Sequence, residues 1–152
     1  MCSSALAGGF LSAQSQYLVV RAGERLCGLP LPQIVEVFRP LPLVSAGKAP
    51  AFVLGLARVR GQSLPVVDLR LLLGDLPSRA SQRYVSLRIA GRGMALAVDG
   101  VLGLRVIDGR ALEALPPLLE PGCPAVDALA VLDKSLFWFL RMAALLPPQG
   151  SE

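Results

Sequence analysis

Pro50 to Gly74 reads PAFVLGLARVRGQSLPVVDLRLLLG, and this stretch sets the fold class. An apolar run from Phe52 to Arg60 is cut at Gly61-Gln62 and resumes from Leu64 to Leu69. Short runs broken by glycine suit strands rather than helices. The stretch is therefore expected to form a strand, a tight turn at Gly61 and a second strand beginning near Pro65. Arg60 stands at the turn shoulder, and Asp68 and Arg70 flank Leu69. Such a hairpin presents charged groups from a rigid frame.

The same pattern extends in both directions. Upstream, Tyr17–Arg21 and Leu26–Leu29 are strand candidates joined by the turn Ala22-Gly23-Glu24-Arg25, and Pro30 and Pro32 bound a short segment that leads into Ile34–Phe38. Arg39-Pro40-Leu41-Pro42 cannot continue as a central strand, because proline lacks the donor a ladder needs. Downstream, Tyr84–Ile89, Met94–Val98 and Val101–Val106 are separated by Gly91-Arg92-Gly93 and Asp99-Gly100, and the pair Leu129–Leu132 and Leu136–Leu140 surrounds Asp133-Lys134. Many short strands at close spacing predict an all-β barrel or sandwich. Gly74–Gln82 and the proline-rich Leu115–Pro124 are expected to be links, and Met142–Leu146 one or two helical turns. Residues 1–16 are expected to be a flexible leader and 147–152 a tail.

Composition bounds the function. The chain has 152 residues, enough for one domain or two very small barrels. Mean hydropathy is +0.57, yet the apolar run Leu136–Leu146 is interrupted by Arg141 and stopped by Pro147 and Pro148, short of the roughly 20 residues that span a bilayer. Cys2, Cys27 and Cys123 form neither a CxxC pair nor an even disulfide set, which suits the cytoplasm, and no secretory signal opens the chain.

The sequence has no histidine, so Ser-His and Cys-His nucleophile pairs are impossible and the commonest metal ligand is missing. No GxxxxGK[ST] loop is present, and Gly91-Arg92-Gly93 lacks the third glycine of a dinucleotide fingerprint. Asp68, Asp99, Asp108, Asp127 and Asp133 lie at strand ends or beside turn residues, where turn-making accounts for them. We expect a non-enzyme with no catalytic residue, cofactor or metal. The charge is +4, and all basic residues except Lys48 and Lys134 are arginine, a side chain suited to carboxylate, phosphate and protein interfaces. A basic nucleic-acid-binding barrel would need exposed aromatics among those arginines. Aromatics make up 5% and mostly lie within apolar runs.

The Pro50–Gly74 stretch closely resembles the signature PxFxxGxxNLRGxxxPVxDLR of the CheW family. The matching positions are Pro50, Phe52, Gly55, Val59, Arg60, Gly61, Pro65, Val66, Asp68, Leu69 and Arg70, and Arg58 stands where the family usually has Asn. Ile34-Val35-Glu36-Val37 is similar to the family's VxEV strand, and Val98-Asp99-Gly100-Val101 to part of its second-barrel hairpin.

The resemblance implies two small five-stranded β-barrels packed side by side within residues 17–146, with a short C-terminal helical turn. One sub-barrel would comprise about 17–74 plus 136–146, and the other about 83–135. It implies a cytoplasmic, non-catalytic adaptor that couples the cytoplasmic tip of a methyl-accepting chemoreceptor, held in the groove between the barrels, to the regulatory domain of a CheA-type histidine kinase. The partner-binding residues it points to are Glu36, Val37, Arg58, Arg60, Gly61, Val98, Asp99 and Val101. The departure at Arg58 leaves open an array adaptor that binds receptor but not kinase.

Overall fold

The computed structural model describes residues 14–74, 81–108, 113–114, 126–132 and 134–145. The strands are β1 (Gln14–Ala22), β2 (Arg25–Pro30), β3 (Ile34–Phe38), β4 (Val53–Val59), β5 (Gln62–Asp68), β6 (Arg83–Ile89), β7 (Arg92–Val98), β8 (Gly100–Asp108), β9 (Glu113–Ala114), β10 (Val126–Leu132) and β11 (Ser135–Leu140). A 3-10 turn, Leu31–Gln33, lies between β2 and β3, and two four-residue helices, α1 (Leu69–Leu72) and α2 (Met142–Leu145), follow β5 and β11. The all-β class expected from the short apolar runs is what the chain adopts. β1 begins at Gln14, inside the segment expected to be leader, and the proposed links 75–80 and 115–124 lie outside the described residues.

Among the described residues, eleven strands form two sheets. The first has the order β8-β1-β2-β11-β10-β9 and the second β3-β6-β7-β5-β4. Neighbours run antiparallel except β2 with β11 and β5 with β7, which are parallel. The sheets do not follow the expected division of the chain, because β3 pairs with β6, β5 with β7 and β8 with β1. β3, β4 and β5 belong with β6 and β7, whereas β8 and β10 belong with β1 and β2. The C-terminal β11 does return to the N-terminal strands, as expected. Parallel partners need a long connection and leave no local turn signal, so the exchange between sheets is invisible to a reading of adjacent runs.

Alternation along the strands builds the core. Leu18, Val20 and Ala22 of β1, with Cys27 and Leu29 of β2, face the second sheet's Val67, Val85, Leu87, Met94, Leu96 and Val98 in the main cluster. The opposite face of the first sheet gathers Tyr17, Val19, Ile107, Phe137 and Phe139, with the Tyr17 and Phe139 rings edge to face at 4.8 Å. The opposite face of the second sheet gathers Ala57, Val66, Tyr84, Ala95 and Ala97. Each sheet therefore has its own small interior and shares a larger one with its neighbour. Of the aromatic residues that most simply read as core in the sequence, Tyr84, Phe137 and Phe139 are buried, whereas Phe38, Phe52 and Trp138 are half-buried.

Among the described residues, two hairpin turns have both loop residues in left-handed backbone. Val59 pairs with Gln62 and Ile89 with Arg92, which leaves the two-residue loops Arg60-Gly61 and Ala90-Gly91. All four residues have positive φ, from 50° to 81°, the geometry that matches strand twist in tight hairpins. The second turn thus falls one residue earlier than Gly91-Arg92-Gly93 suggested. Asp99-Gly100 makes no hairpin. It is the crossover that carries the chain from β7 in the second sheet to β8 in the first, and Gly100 is not among the glycines with positive φ.

α1 replaces the end of the strand expected to run to Leu69. Asp68 caps it, its carboxylate accepting from the backbone N–H groups of Arg70 at 2.9 Å and Leu71 at 3.4 Å. An aspartate immediately before a leucine-rich run is the N-cap signal that announces such a turn.

Candidate functional site

Five of the residues singled out in the sequence lie on the second sheet. β3 and β4 are its two edges, and the sheet curls far enough to bring them together. Val44, in the segment after β3, bridges Leu56 of β4 through a pair of backbone hydrogen bonds of 2.9 and 2.7 Å. Beside that bridge, Arg60 Nε and Nη2 donate to Glu36 Oε2 and Oε1, each at 2.9 Å.

A bulge aims Glu36 at this seam. The pairing of β3 with β6 slips between Ile34 and Glu36, which inserts Val35 and reverses the alternation. Ile34 consequently packs against the inter-sheet core, while Phe38, two residues beyond Glu36, packs against the second sheet's own interior with its ring edge to face on Tyr84. Ser86 holds the bulge: its Oγ accepts from the Glu36 N–H at 3.2 Å and donates to the Glu36 carbonyl at 3.4 Å. Nothing in the local sequence marks this slip. A strict period of two would put Ile34, Glu36 and Phe38 on one face.

The other half of the pair is set by the turn. Arg60 has φ 50° and Gly61 φ 81°, so β4 ends before Arg60, and Arg60 does not continue the alternation of the strand. Arg58 remains within β4, opposite Ser63 and exposed. The bidentate pair is an outward-facing feature: the Arg60 side chain is 78% exposed and that of Glu36 28%. The hydrogen bond from Arg60, reinforced by its charge, holds the Glu36 carboxyl below the usual glutamate range and raises the Arg60 guanidinium. Val37 is exposed next to Glu36.

The remaining three residues lie at the crossover. Val98 is completely buried and Asp99 nearly so, because they carry the chain between the sheets. Val101 packs half-buried against the main core. Asp99 instead takes part in a buried ionic cluster. Its Oδ1 lies 3.5 Å from Arg70 Nη1, and Arg70 Nη2 lies 3.5 Å from Asp68 Oδ2. Asp68 and Arg70, which flank Leu69 in the sequence, are thus paired, and the second carboxylate was not foreseen. Its signal was an aspartate within the otherwise apolar run Ala95–Val101.

On the first sheet, an open groove of ≈ 620 Å³ lies where the β1–β2 and β10–β11 hairpin ends meet, lined by Glu24, Arg25, Leu136 and Trp138 among others, with the Arg25 guanidinium 5.6 Å from the centre of the Trp138 ring. Among the described residues no three His, Cys, Asp or Glu side chains are grouped to hold a metal ion, and no helix is long and apolar enough to cross a membrane.

Comparison with known proteins agrees with this geometry. The family model described as CheW-like domain matches residues 16–149. Protein FrzA of Myxococcus xanthus is 31% identical over 124 residues, covering 80% of this chain and 76% of that protein. The probable chemotaxis protein CheW of Rhizobium etli is 22% identical over 142 residues, 90% of each. The crystal structure of the scaffolding protein TtCheW from Thermoanaerobacter tengcongensis superposes with a TM-score of 0.81 at 26% identity, over 92% of this chain and 97% of that one.

Proposed function

The chain belongs to the CheW-like domain family, whose members are non-catalytic scaffold proteins of chemotaxis signalling, and from that premise we propose that it couples the cytoplasmic tip of a methyl-accepting chemoreceptor to the regulatory domain of a CheA-type histidine kinase in a cytoplasmic array. The observation that carries the proposal is the Glu36–Arg60 pair. A bidentate ion pair displayed across a sheet seam gains little stability in water, whereas its fixed orientation suits recognition of a charged partner surface.

Glu36, Val37, Arg58, Arg60 and Gly61 form the contact surface on the second sheet in this scheme, with the kinase domain docking on one sheet and the receptor tip lying in the groove between the two. Val98, Asp99 and Val101 support that groove from behind. Arg58, in place of the family's usual Asn, adds positive charge beside Arg60 and favours a more acidic partner face.

Binding of the purified chain to a receptor cytoplasmic tip and, separately, to the kinase regulatory domain tests the proposal. Arg60→Ala is expected to weaken binding about tenfold, in the range of a central interface residue, and Arg58→Asn to alter kinase binding more than receptor binding. Receptor binding without kinase binding identifies an array adaptor decoupled from the kinase. Binding to neither overturns the proposal.

A further inference from the structure

We infer that the Asp68–Arg70–Asp99 cluster is a positioning clamp that fixes how the two sheets face each other, and that Arg70 thereby governs a partner touching both sheets while leaving a partner on one sheet unaffected; this second clause rests on the proposed function above. Asp68 is the last residue of β5 in the second sheet, and its backbone N–H donates to the Phe52 carbonyl at 2.7 Å. Arg70, 4% exposed, reaches from α1 to both carboxylates. Asp99 is the single residue between β7 of the second sheet and β8 of the first. It grips the first sheet twice: its N–H donates to the Arg21 carbonyl at 2.8 Å, and its Oδ2 accepts from the Gly23 N–H at 2.5 Å. The cluster therefore runs unbroken from the β1–β2 turn to the end of β5.

Its chemistry differs from that of the surrounding contact. The inter-sheet core is aliphatic, and apolar burial is non-directional, so it resists separation of the sheets more than sliding. Ionic contacts have fixed geometry and resist sliding. Buried ion pairs replaced by apolar groups often leave stability unchanged, which makes specification of one arrangement the better account of their presence. Asp99 Oδ1 has no hydrogen-bond partner, so the Arg70 guanidinium at 3.5 Å is what compensates it. Removing Arg70 alone would leave two buried carboxylates without their cation, whereas removing Arg70 together with the Asp99 charge leaves only Asp68, whose Oδ1 still accepts from the backbone N–H groups of residues 70 and 71.

The test compares wild type, Arg70→Met, the double variant Arg70→Met with Asp99→Asn, and Arg70→Lys in the full chain. Spin labels on the exposed Val35 of β3 and Val131 of β10, with Cys2 and Cys123 replaced by Ser and Cys27 by Ala, report the sheet-to-sheet distance. The double variant is expected to melt closer to wild type than Arg70→Met does, yet give a broadened distance distribution, and to bind the receptor tip about tenfold more weakly through lost pre-organisation. Binding to the kinase regulatory domain should stay within about twofold, and Arg70→Lys should recover part of the receptor affinity. An unchanged distance distribution, or equal loss toward both partners, overturns the clamp. If wild type binds neither partner while the double variant still broadens, the clamp stands and the proposed function fails.

Discussion

Arg60 and Glu36 occupy opposite edges of one five-stranded sheet and are nonetheless joined by two hydrogen bonds of 2.9 Å. The pair lies beside the bridge of Val44 to Leu56, where the edge strands approach, and so marks a seam that would otherwise expose strand edges. Its chemistry also makes it sensitive to acid. The folded-state pKa of Glu36 lies below its ordinary value of 4.5 because of the hydrogen bond from Arg60. A depressed carboxyl contributes above its unfolded value and loses that contribution as pH falls through the folded one.

Carboxyl-resolved NMR titration should therefore place the Glu36 midpoint below the ordinary glutamate range in wild type. In Arg60→Ala it should move up, toward that range. Because the pair is solvent-exposed, the thermal midpoint at neutral pH should hardly change in this variant. A Glu36 midpoint that ignores the loss of Arg60 would show that the pair does not persist in solution.

Gly28 is confined by packing rather than by backbone freedom. A Cβ built there meets the Phe139 ring at 2.7 Å, on the face where Phe139 also packs against Tyr17. Gly28→Ala is expected to destabilise the fold by about 1–3 kcal/mol through overpacking, and Gly28→Ala with Phe139→Leu should be less destabilised than the sum of its single changes. At Gly61 a Cβ has open space but φ is +81°, so Gly61→Ala should cost only about 1–2 kcal/mol, from backbone strain. Urea unfolding of the four variants measures all of these terms.

The strands were legible because their apolar runs are short and glycine, proline or aspartate separates them, and Pro50–Gly74 yielded both its hairpin and the Arg60-Gly61 turn. Glu36 and Arg60 were both found from the sequence, but their contact was not. It depends on the Val35 bulge and on two edges meeting across five strands, neither of which has a local signature. The sheet assignment failed for a related reason: the pairings of Val66–Asp68 with Ala95–Ala97, of β3 with β6 and of β1 with β8 are all long-range. Asp99 was assigned to turn-making, and only the fold shows that its charge is turned inward.

Tyr84 supplies a prediction at the alkaline end. Its ring is buried in the second sheet's interior, and burial, with the nearby Asp68 charge adding to it, raises its phenol above the ordinary value of 10.0. A raised folded pKa means that the unfolded chain loses its proton first. Stability associated with Tyr84 is thus complete below that ordinary value and is lost as pH rises through the folded one. Unfolding free energies measured across this range should fall with pH in wild type and fall less steeply in Tyr84→Phe. Equal slopes would mean that the phenol titrates alike in both states.

Cys27 offers a direct reading of how the first sheet opens. It sits on β2 between Val20 of β1 and Trp138 of β11, with no exposed surface. A thiol reagent can reach it only when β2 separates from a neighbour or the whole domain unfolds. If the sheet opens only globally, the native chain, carrying Cys2→Ser and Cys123→Ser, should react at least about a thousandfold more slowly than the urea-unfolded chain, in line with ordinary domain stability. Gly28→Ala places its strain one residue away, at the β2–β11 contact, and should speed the reaction by the same factor by which it raises the unfolding equilibrium constant if opening is global. A larger acceleration would reveal local release of β11 from β2, the parallel pairing that returns the C-terminal strand to the N-terminal sheet. A native thiol that reacts nearly as fast as the unfolded one would contradict the central position of β2.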